Sequence, residues 1–122
     1  MRKQYYFRSS PQGLLAWDVD RLVRLSRDLP VRAVPLADVS ELDAPVFGDD
    51  PPTWRGLVAH LELMDAADLA YPIILAADGA VMDGRHRPAK ALRERRSTID
   101  AVQFREDPTP DYVGKGPDDL SY

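Results

Sequence analysis

The chain has 122 residues, of which 44% are hydrophobic and 30% charged, with a formal net charge of −4 and no cysteine. This length fits one domain with one modest core, and the missing cysteine excludes disulfides, thiolate metal sites and thiol nucleophiles. The negative charge argues against a general nucleic-acid coat. Because the chain has no apolar run of the roughly 20 residues that a bilayer requires and no apolar segment at its start, we expect a cytoplasmic protein without membrane contact.

The first 30 residues predict an aromatic segment followed by a helix. Residues 5–7, Tyr-Tyr-Phe, can pair as an edge strand or lie over the core, and residues 9–13 read as a turn or loop. Asp18 has the position of an N-cap, with Trp17 before it and apolar residues after it at helical spacing. We therefore expect a helix over 18–28 that ends before Pro30.

The next segment predicts an edge strand and an acidic loop. Residues 31–36 alternate well enough for a strand, and Pro35 marks an edge or an end. Residues 37–53 form a loop-like stretch with five acids and three prolines. Its adjacent Asp49 and Asp50 could hold a divalent ion, although solvated carboxylates are the simpler interpretation.

Residues 54–66 have the pattern of an amphipathic helix. Thr53 can cap it, and its apolar side chains fall on one face at i, i+3, i+4 and i+7 spacing, namely Trp54, Leu57, Val58, Leu61 and Met64. His60 sits beside that stripe, and we interpret it as a partly buried histidine. His60 and His86 are far apart in sequence, which argues against a His-rich metal site.

A hairpin and a second helix are predicted next. Residues 71–75 read as a buried strand, which Asp78-Gly79 turns into a second strand over 80–83. A helix over 86–96 follows, with Pro88 in its first turn, where a missing N–H costs nothing. Ala89, Ala91 and Leu92 are expected to face the core, and Lys90, Arg93 and Arg96 to point outward.

The end of the chain predicts one more strand and a tail. Residues 99–104 alternate apolar and polar side chains, as a strand does. Residues 105–122 hold five acids and three prolines with little periodicity, so they form either a loose tail or a strap over the domain.

The stretch 81–92 carries the best candidate site. It reads as a strand end, a glycine turn and the first turns of a cationic helix. A helix N-terminus offers unpaired N–H groups and the positive end of the macrodipole, so this arrangement suits a phosphate. We expect Gly84 to permit close approach of backbone and ligand, Arg85 and Arg87 to donate charge-assisted hydrogen bonds, and Lys90 to add a point charge.

The distribution of charge also favours an anion site in this region of the chain. Residues 83–96 contain six Lys or Arg and two acids, a local charge of +4 that leaves −8 for the rest of the chain. Such a basic island in an acidic chain favours a focused anion site over a broad phosphate track. The alternative is a solvated helix face whose charges pair along the helix.

The order of these elements resembles the superfamily of ParB N-terminal domains and sulfiredoxins. The resemblance covers about residues 31–104 and rests on the Pro-Ile-Ile-Leu strand, the strand ending in Asp-Gly, the Arg-His-Arg helix and the Thr-Ile-x-Ala-Val strand. It implies an α+β fold with a small mixed sheet and about three helices. The implied division is an N-terminal extension (1–30), the ParB/sulfiredoxin-like domain (31–104) and an acidic tail (105–122), similar to small stand-alone bacterial members.

The resemblance also implies roles for individual residues. Gly84 takes the place of the motif glycine, and Arg87 that of the arginine that family members use on nucleotide phosphates. His86 stands where sulfiredoxins have histidine, and Arg85 replaces their cysteine, so sulfiredoxin chemistry is excluded. The acid of the ParB Gly-Glu-Arg-Arg motif is missing too, and 122 residues leave no room for the DNA-reading and dimerisation domains of ParB.

Three functions follow from these patterns. The first is a module that binds a nucleotide or another phosphate-bearing ligand at Gly84, Arg85, His86, Arg87 and Lys90. The second is an enzyme, a phosphotransferase or a nucleotide or DNA hydrolase, with Asp83 as base, His86 as proton shuttle and Mg²⁺ as cofactor. Asp68 and Asp49 are further candidate bases. The third is a regulatory module whose arginine helix binds DNA or an acidic protein without a nucleotide.

Overall fold

The structure, a computed structural model, describes residues 3–120. Within that range the chain forms two β-sheets, three α-helices and three 3-10 helices. The predicted α+β class is confirmed. The 3-10 helices Ser40–Asp43 and Pro117–Asp119 lie in segments that the sequence pattern left without regular structure, and Leu36–Asp38 begins at the last residue of the predicted strand 31–36.

The first sheet joins the two ends of the chain. Its three antiparallel strands are β1 (Tyr5–Ser10), β2 (Gly13–Asp18) and β7 (Tyr112–Val113), in the order β1-β2-β7. Gly13 adopts a φ of +99° where the β1-β2 hairpin turns, a conformation that favours glycine. The sequence pattern did not predict β2, because its apolar run is too short to separate a strand from the approach to a helix.

The second sheet holds the centre of the fold. Its order is β3 (Arg32–Pro35), β6 (Thr98–Gln103), β4 (Ile73–Leu75) and β5 (Val81–Asp83). β4 and β6 are parallel, and the other two pairs are antiparallel. The four strands predicted for residues 31–104 are present with ends shifted by one or two residues, and Pro35 lies on an edge strand as predicted.

The predicted helix caps are also confirmed. The helices are α1 (Val19–Ser26), α2 (Trp54–Ala66) and α3 (His86–Arg93). The Asp18 carboxylate accepts a hydrogen bond from the Asp20 N–H at 2.9 Å, and the Thr53 hydroxyl accepts one from the Gly56 N–H at 3.0 Å. No helix within residues 3–120 is long and apolar enough to cross a membrane.

Helix α3 is shorter than predicted and presents a different face to the core. It ends where Arg95 takes a φ of +62° and the Arg96 N–H bonds to the Ala91 carbonyl at 3.0 Å, which closes the last turn. Pro88 and Ala91 are buried, whereas Leu92 is 55% exposed, so the prediction that Leu92 faces the core was wrong. Pro88 and Ala91 form the buried stripe of α3, and Leu92 falls one residue outside that narrow stripe.

The second sheet is buried on both faces. Ile73 and Leu75 of β4 belong to a cluster with α3 and β3, whereas Ile74 between them points to a cluster that includes Trp17 and Leu22. This alternation follows from the two-residue period of a strand. Segments before residue 31 therefore share their core with the predicted 31–104 unit.

Residues 105–114 form a strap rather than a loose tail. The Trp17 indole N–H donates to the Pro108 carbonyl at 2.7 Å, and the Asp111 N–H donates to the Ala16 carbonyl at 2.9 Å. Arg8 and Asp107 form a salt bridge at 2.8 Å. The strap thus holds β1 and β2 against the rest of the fold.

Candidate functional site

A cleft of about 1170 Å³ lies between β1 and the turn from β5 into α3. Its lining also includes residues from the end of α2 and from the loop that follows it. The predicted site residues that it brings together are Asp83, Gly84, Arg85, His86 and Arg87. Lys90 is not part of the lining.

Gly84, which has no side chain, leaves space for the side chain of Arg87. It has a φ of +85°, and a Cβ atom built there would lie 2.6 Å from Nη1 of Arg87 and 3.2 Å from Cγ2 of Ile73. The Arg87 guanidinium therefore occupies the space that a side chain at position 84 would fill. A glycine is needed here because both the backbone conformation and the close contact disfavour a side chain.

Arg87 is held at the bottom of the β5-α3 turn by three contacts. Its Nη1 donates to the Pro72 carbonyl at 3.1 Å and lies 3.9 Å from the Asp83 carboxylate. The guanidinium also sits 5.9 Å from the ring centroid of Tyr71. Since a guanidinium has five N–H donors and these polar contacts involve only Nη1, the side chain is positioned and still has donors for a ligand.

Arg85 is the cation of the cleft that has no side-chain partner among residues 3–120. It is exposed, occupies the N-cap position of α3 and makes no side-chain capping bond. Within residues 3–120 its guanidinium forms neither a hydrogen bond nor a salt bridge. An anion that enters the cleft would therefore meet an uncompensated positive charge at Arg85 beside the start of a helix.

His86 is half-buried and stays neutral near pH 7. Burial lowers its pKa from 6.5, and the charge of Arg85 and the neighbouring His60 lower it further. Its Nε2 atom is buried without a hydrogen-bond partner in the described part of the chain. A buried Nε2 is poorly placed to exchange a proton with a ligand in the cleft.

The two histidines are in contact despite their distance in sequence. The ring centroids of His60 and His86 are 4.9 Å apart, and the ring centroid of Phe47 lies 6.2 Å from that of His60. Within residues 3–120, no group of three or more His, Asp or Glu side chains is arranged to hold a metal ion. The histidine contact therefore joins α2 to α3 by packing.

Lys90 also joins α2 to α3. Its ammonium donates to the carbonyls of Asp65 and Ala67 at 3.0 and 2.6 Å, which satisfies the last turn of α2. Arg93 pairs with the Asp65 carboxylate, and Arg96 pairs with Glu94 at 3.2 Å. Lys90, Arg93 and Arg96 of the basic island thus have structural partners, whereas Arg85 and Arg87 line the cleft.

The cleft has aromatic walls that the sequence pattern did not assign to a site. Tyr5, Tyr6 and Phe7 of β1 line one side, and Tyr71 lies beside Arg87 with 63% of its surface exposed. The sequence predicts that residues 5–7 pair as an edge strand or lie over the core, and Tyr6 does contact Trp17 with ring centroids 5.7 Å apart. The signal that could have revealed this wall is the run of tyrosines, whose rings tolerate water better than phenylalanine rings do.

Neither a family model, nor a curated protein, nor a solved structure matches this chain. The resemblance to ParB domains and sulfiredoxins stays a prediction.

The remaining charges of the cleft have structural partners. Glu41 accepts a hydrogen bond from the Val81 N–H at 2.5 Å, Asp68 accepts one from the Ala70 N–H at 2.9 Å, and Lys3 pairs with Asp18 at 2.9 Å. The cleft therefore combines a partnerless arginine, a positioned arginine and exposed aromatic surface. That set can bind an anion attached to a flat ring.

Proposed function

We propose that the chain binds a phosphate-bearing ligand, with a nucleotide as the best candidate, in the cleft between β1 and the start of α3. One observation carries the proposal. Arg85 and Arg87 line the same cleft as the aromatic rings of β1 and Tyr71. Guanidinium groups recognise phosphate oxygens, and aromatic rings stack on bases, so the cleft offers both halves of a nucleotide a partner.

The positive charges of the β5-α3 turn support the binding of a phosphate group. Arg85 has no partner within the described residues, and Arg87 is fixed by the Pro72 carbonyl with donors remaining. The start of α3 adds the positive end of the helix dipole to both charges. A charge-assisted hydrogen bond contributes about 1.5–3 kcal/mol, which is enough to make Arg85 measurable in a binding experiment.

Exposed aromatic surface in the cleft supports the binding of a nucleotide base. Stacking of a base on an aromatic side chain contributes about 1–3 kcal/mol by alanine substitution and tolerates every base. Tyr71 is the best candidate for this contact, because its ring is largely exposed and lies next to Arg87. A nucleotide should therefore bind more tightly than an inorganic phosphate of the same charge.

The resemblance to the ParB/sulfiredoxin superfamily supports the same class of ligand. It places Arg87 at an arginine that members use on nucleotide phosphates. Arg87 of this chain lines the cleft.

Binding is better supported than catalysis. Asp83 lines the cleft and could serve as a base, but it lies beside Arg87, and one of the two ring nitrogens of His86, Nε2, is buried. Mg²⁺ bound with phosphates uses only one or two protein carboxylates, so Asp83 would suffice for it. The binding experiment must therefore also test for phosphoryl transfer and hydrolysis.

The experiment is calorimetric titration with ATP, ADP, CTP and GTP, with and without Mg²⁺. Arg85→Ala should weaken binding about 10- to 100-fold, which corresponds to the loss of one charge-assisted hydrogen bond. Arg24→Ala is the matched control, because Arg24 is also an exposed helical arginine but lies on α1 outside the cleft. Tyr71→Ala should weaken nucleotide binding and leave binding of inorganic triphosphate nearly unchanged.

Each result has a clear meaning. Saturable binding that Arg85→Ala loses and Arg24→Ala keeps supports the proposal. Mg²⁺-dependent turnover of the bound nucleotide would make the chain a phosphotransferase or a hydrolase. If no nucleotide or triphosphate binds, the proposal is refuted, and DNA or an acidic protein becomes the partner to test.

A further inference from the structure

Helix α2 is attached to the fold by a narrow strip. None of its 13 residues is buried, and the side that faces the body consists of Gly56, His60 and Met64, which are half-buried at four-residue spacing. Successive residues of a helix are rotated by about 100° around its axis. The apolar stripe predicted from the sequence is therefore centred about 95° around the axis from that half-buried strip. Much of the stripe therefore faces away from the core that an amphipathic helix normally contacts.

The opposite side of α2 exposes large apolar side chains. A shallow groove there is lined by Trp54, Arg55, Val58, Ala59 and Glu62, which we call the outer face. Trp54 is 84% exposed and Val58 is 51% exposed. Contiguous apolar surface with a polar rim is typical of a protein interface, and tryptophan is enriched among the residues that dominate binding energy.

The charges of the outer face are self-complementary. Arg55 lies near its N-terminal end and Glu62 near its C-terminal end, seven residues or about 10 Å further along the helix. Neither forms a salt bridge within residues 3–120. If two copies pack antiparallel with a two-fold axis between Val58 and Ala59, Arg55 of each lies opposite Glu62 of the other.

The same register matches the apolar groups. Val58, which is 51% exposed, lies next to the axis in both copies. Ala59 lies next to the axis, where a small side chain lets two helices approach closely. A two-fold interface needs one patch that complements itself, and the outer face meets that condition in the placement of Arg55 and Glu62.

We infer that α2 is a dimerisation helix and that a second copy of this chain covers its outer face in an antiparallel arrangement. A helix of 13 residues is about 20 Å long, so α2 alone covers less than the roughly 800 Å² per partner of a standard interface. The dimer should accordingly be concentration-dependent, and dissociation should be visible on dilution.

Sedimentation equilibrium over a range of concentrations tests this inference. Val58→Asp should raise the dissociation constant at least about tenfold, because it places two charges in the apolar centre of the interface. Val31→Asp is the matched control, since Val31 is 57% exposed and lies outside α2. A monomer at all concentrations, or equal effects of the two substitutions, would overturn the inference.

Charge exchange tests the register. Arg55→Glu places two acids together at each end of the interface, and Glu62→Arg places two cations together, so each variant alone should associate several-fold more weakly than the natural chain. A mixture of the two variants should restore association, because opposite charges then meet at both ends. Failure of the mixture to associate would refute the proposed pairing.

A cross-link tests the axis. The chain contains no cysteine, so Ala59→Cys introduces a single thiol next to the proposed two-fold axis. Under mild oxidation it should form a disulfide-linked dimer much faster than the exposed control Val31→Cys. Equal rates for the two variants would contradict the arrangement.

Discussion

Asp107 connects three separate segments of the fold, and its replacement should loosen all of them. Its carboxylate accepts one hydrogen bond from Arg8 of β1 at 2.8 Å and another from the Ala77 N–H, in the β4-β5 turn, at 2.8 Å. Asp107→Asn keeps an oxygen for Ala77 but loses the charge opposite Arg8. Asp107→Ala loses both interactions.

The expected loss in the free energy of unfolding follows from the exposure of the Arg8–Asp107 ion pair. The two side chains are 28% and 26% exposed, so the ion pair contributes about 1 kcal/mol, near the upper end for surface pairs. The second hydrogen bond adds about 1 kcal/mol. We therefore expect Asp107→Asn to lower the free energy of unfolding by about 1 kcal/mol and Asp107→Ala by about 2 kcal/mol.

The effect should depend on pH in one direction. Burial opposes ionisation of Asp107, but the Ala77 N–H and the Arg8 guanidinium outweigh it and lower the pKa of Asp107 below its ordinary value of 3.8. A lowered folded-state pKa means that the stabilisation is complete above pH 3.8 and disappears as the pH falls through the folded-state value. The natural chain and Asp107→Asn should therefore converge in strong acid.

Urea unfolding at neutral and acidic pH measures these differences. Circular dichroism reports the fold, and Trp17 fluorescence reports the buried core, since Trp54 is already exposed. Asp118→Asn is the control, because Asp118 lies in the terminal 3-10 helix and should change stability by less than about 0.5 kcal/mol. Equal stability of Asp107→Ala and the natural chain at neutral pH would refute the assigned role of the strap.

Three further substitutions test the region around the cleft. Gly84→Ala should destabilise the fold by about 1–3 kcal/mol in urea unfolding, because the positive φ is strained and the new Cβ collides with Arg87. Lys90→Met should lower stability by about 1 kcal/mol and increase amide exchange at the end of α2, since the Ala67 carbonyl loses its donor. His86 should titrate below 6.5 by NMR, so its contribution to stability should be complete above pH 6.5 and decline as the pH falls below it, a slope that His86→Gln removes. Natural stability of Gly84→Ala would contradict the close contact with Arg87. Unchanged amide exchange in Lys90→Met would contradict the bond to α2, and titration of His86 at 6.5 would contradict its burial.

Local chemistry made much of the secondary structure predictable. Asp18 and Thr53 cap their helices as predicted, and Asp78-Gly79 turns β4 into β5. These elements depend on residues within a few positions of one another, where side-chain hydrogen bonds and apolar spacing act directly. The strand β2 escaped prediction because its partners, β1 and the strap, are set by the whole fold.

The candidate site could be predicted only in part. The strand-turn-helix pattern at residues 81–92 placed several cations on one element, but it could not show which of them have protein partners. Lys90 reaches the end of α2, whereas Arg85 stays without a partner within the described residues. That difference depends on where α2 packs, which is a long-range property.

By itself the sequence determined the fold class, the caps and the position of the basic island, because these follow from neighbouring residues and from hydrophobic periodicity. Only the tertiary structure decided that Tyr5 and Tyr71 line the same cleft, that His60 contacts His86, and that the outer face of α2 points away from the core. Each of these depends on how elements distant in the chain pack against one another. A local pattern can show that a helix is amphipathic, but the packing of the other elements decides what its apolar side contacts.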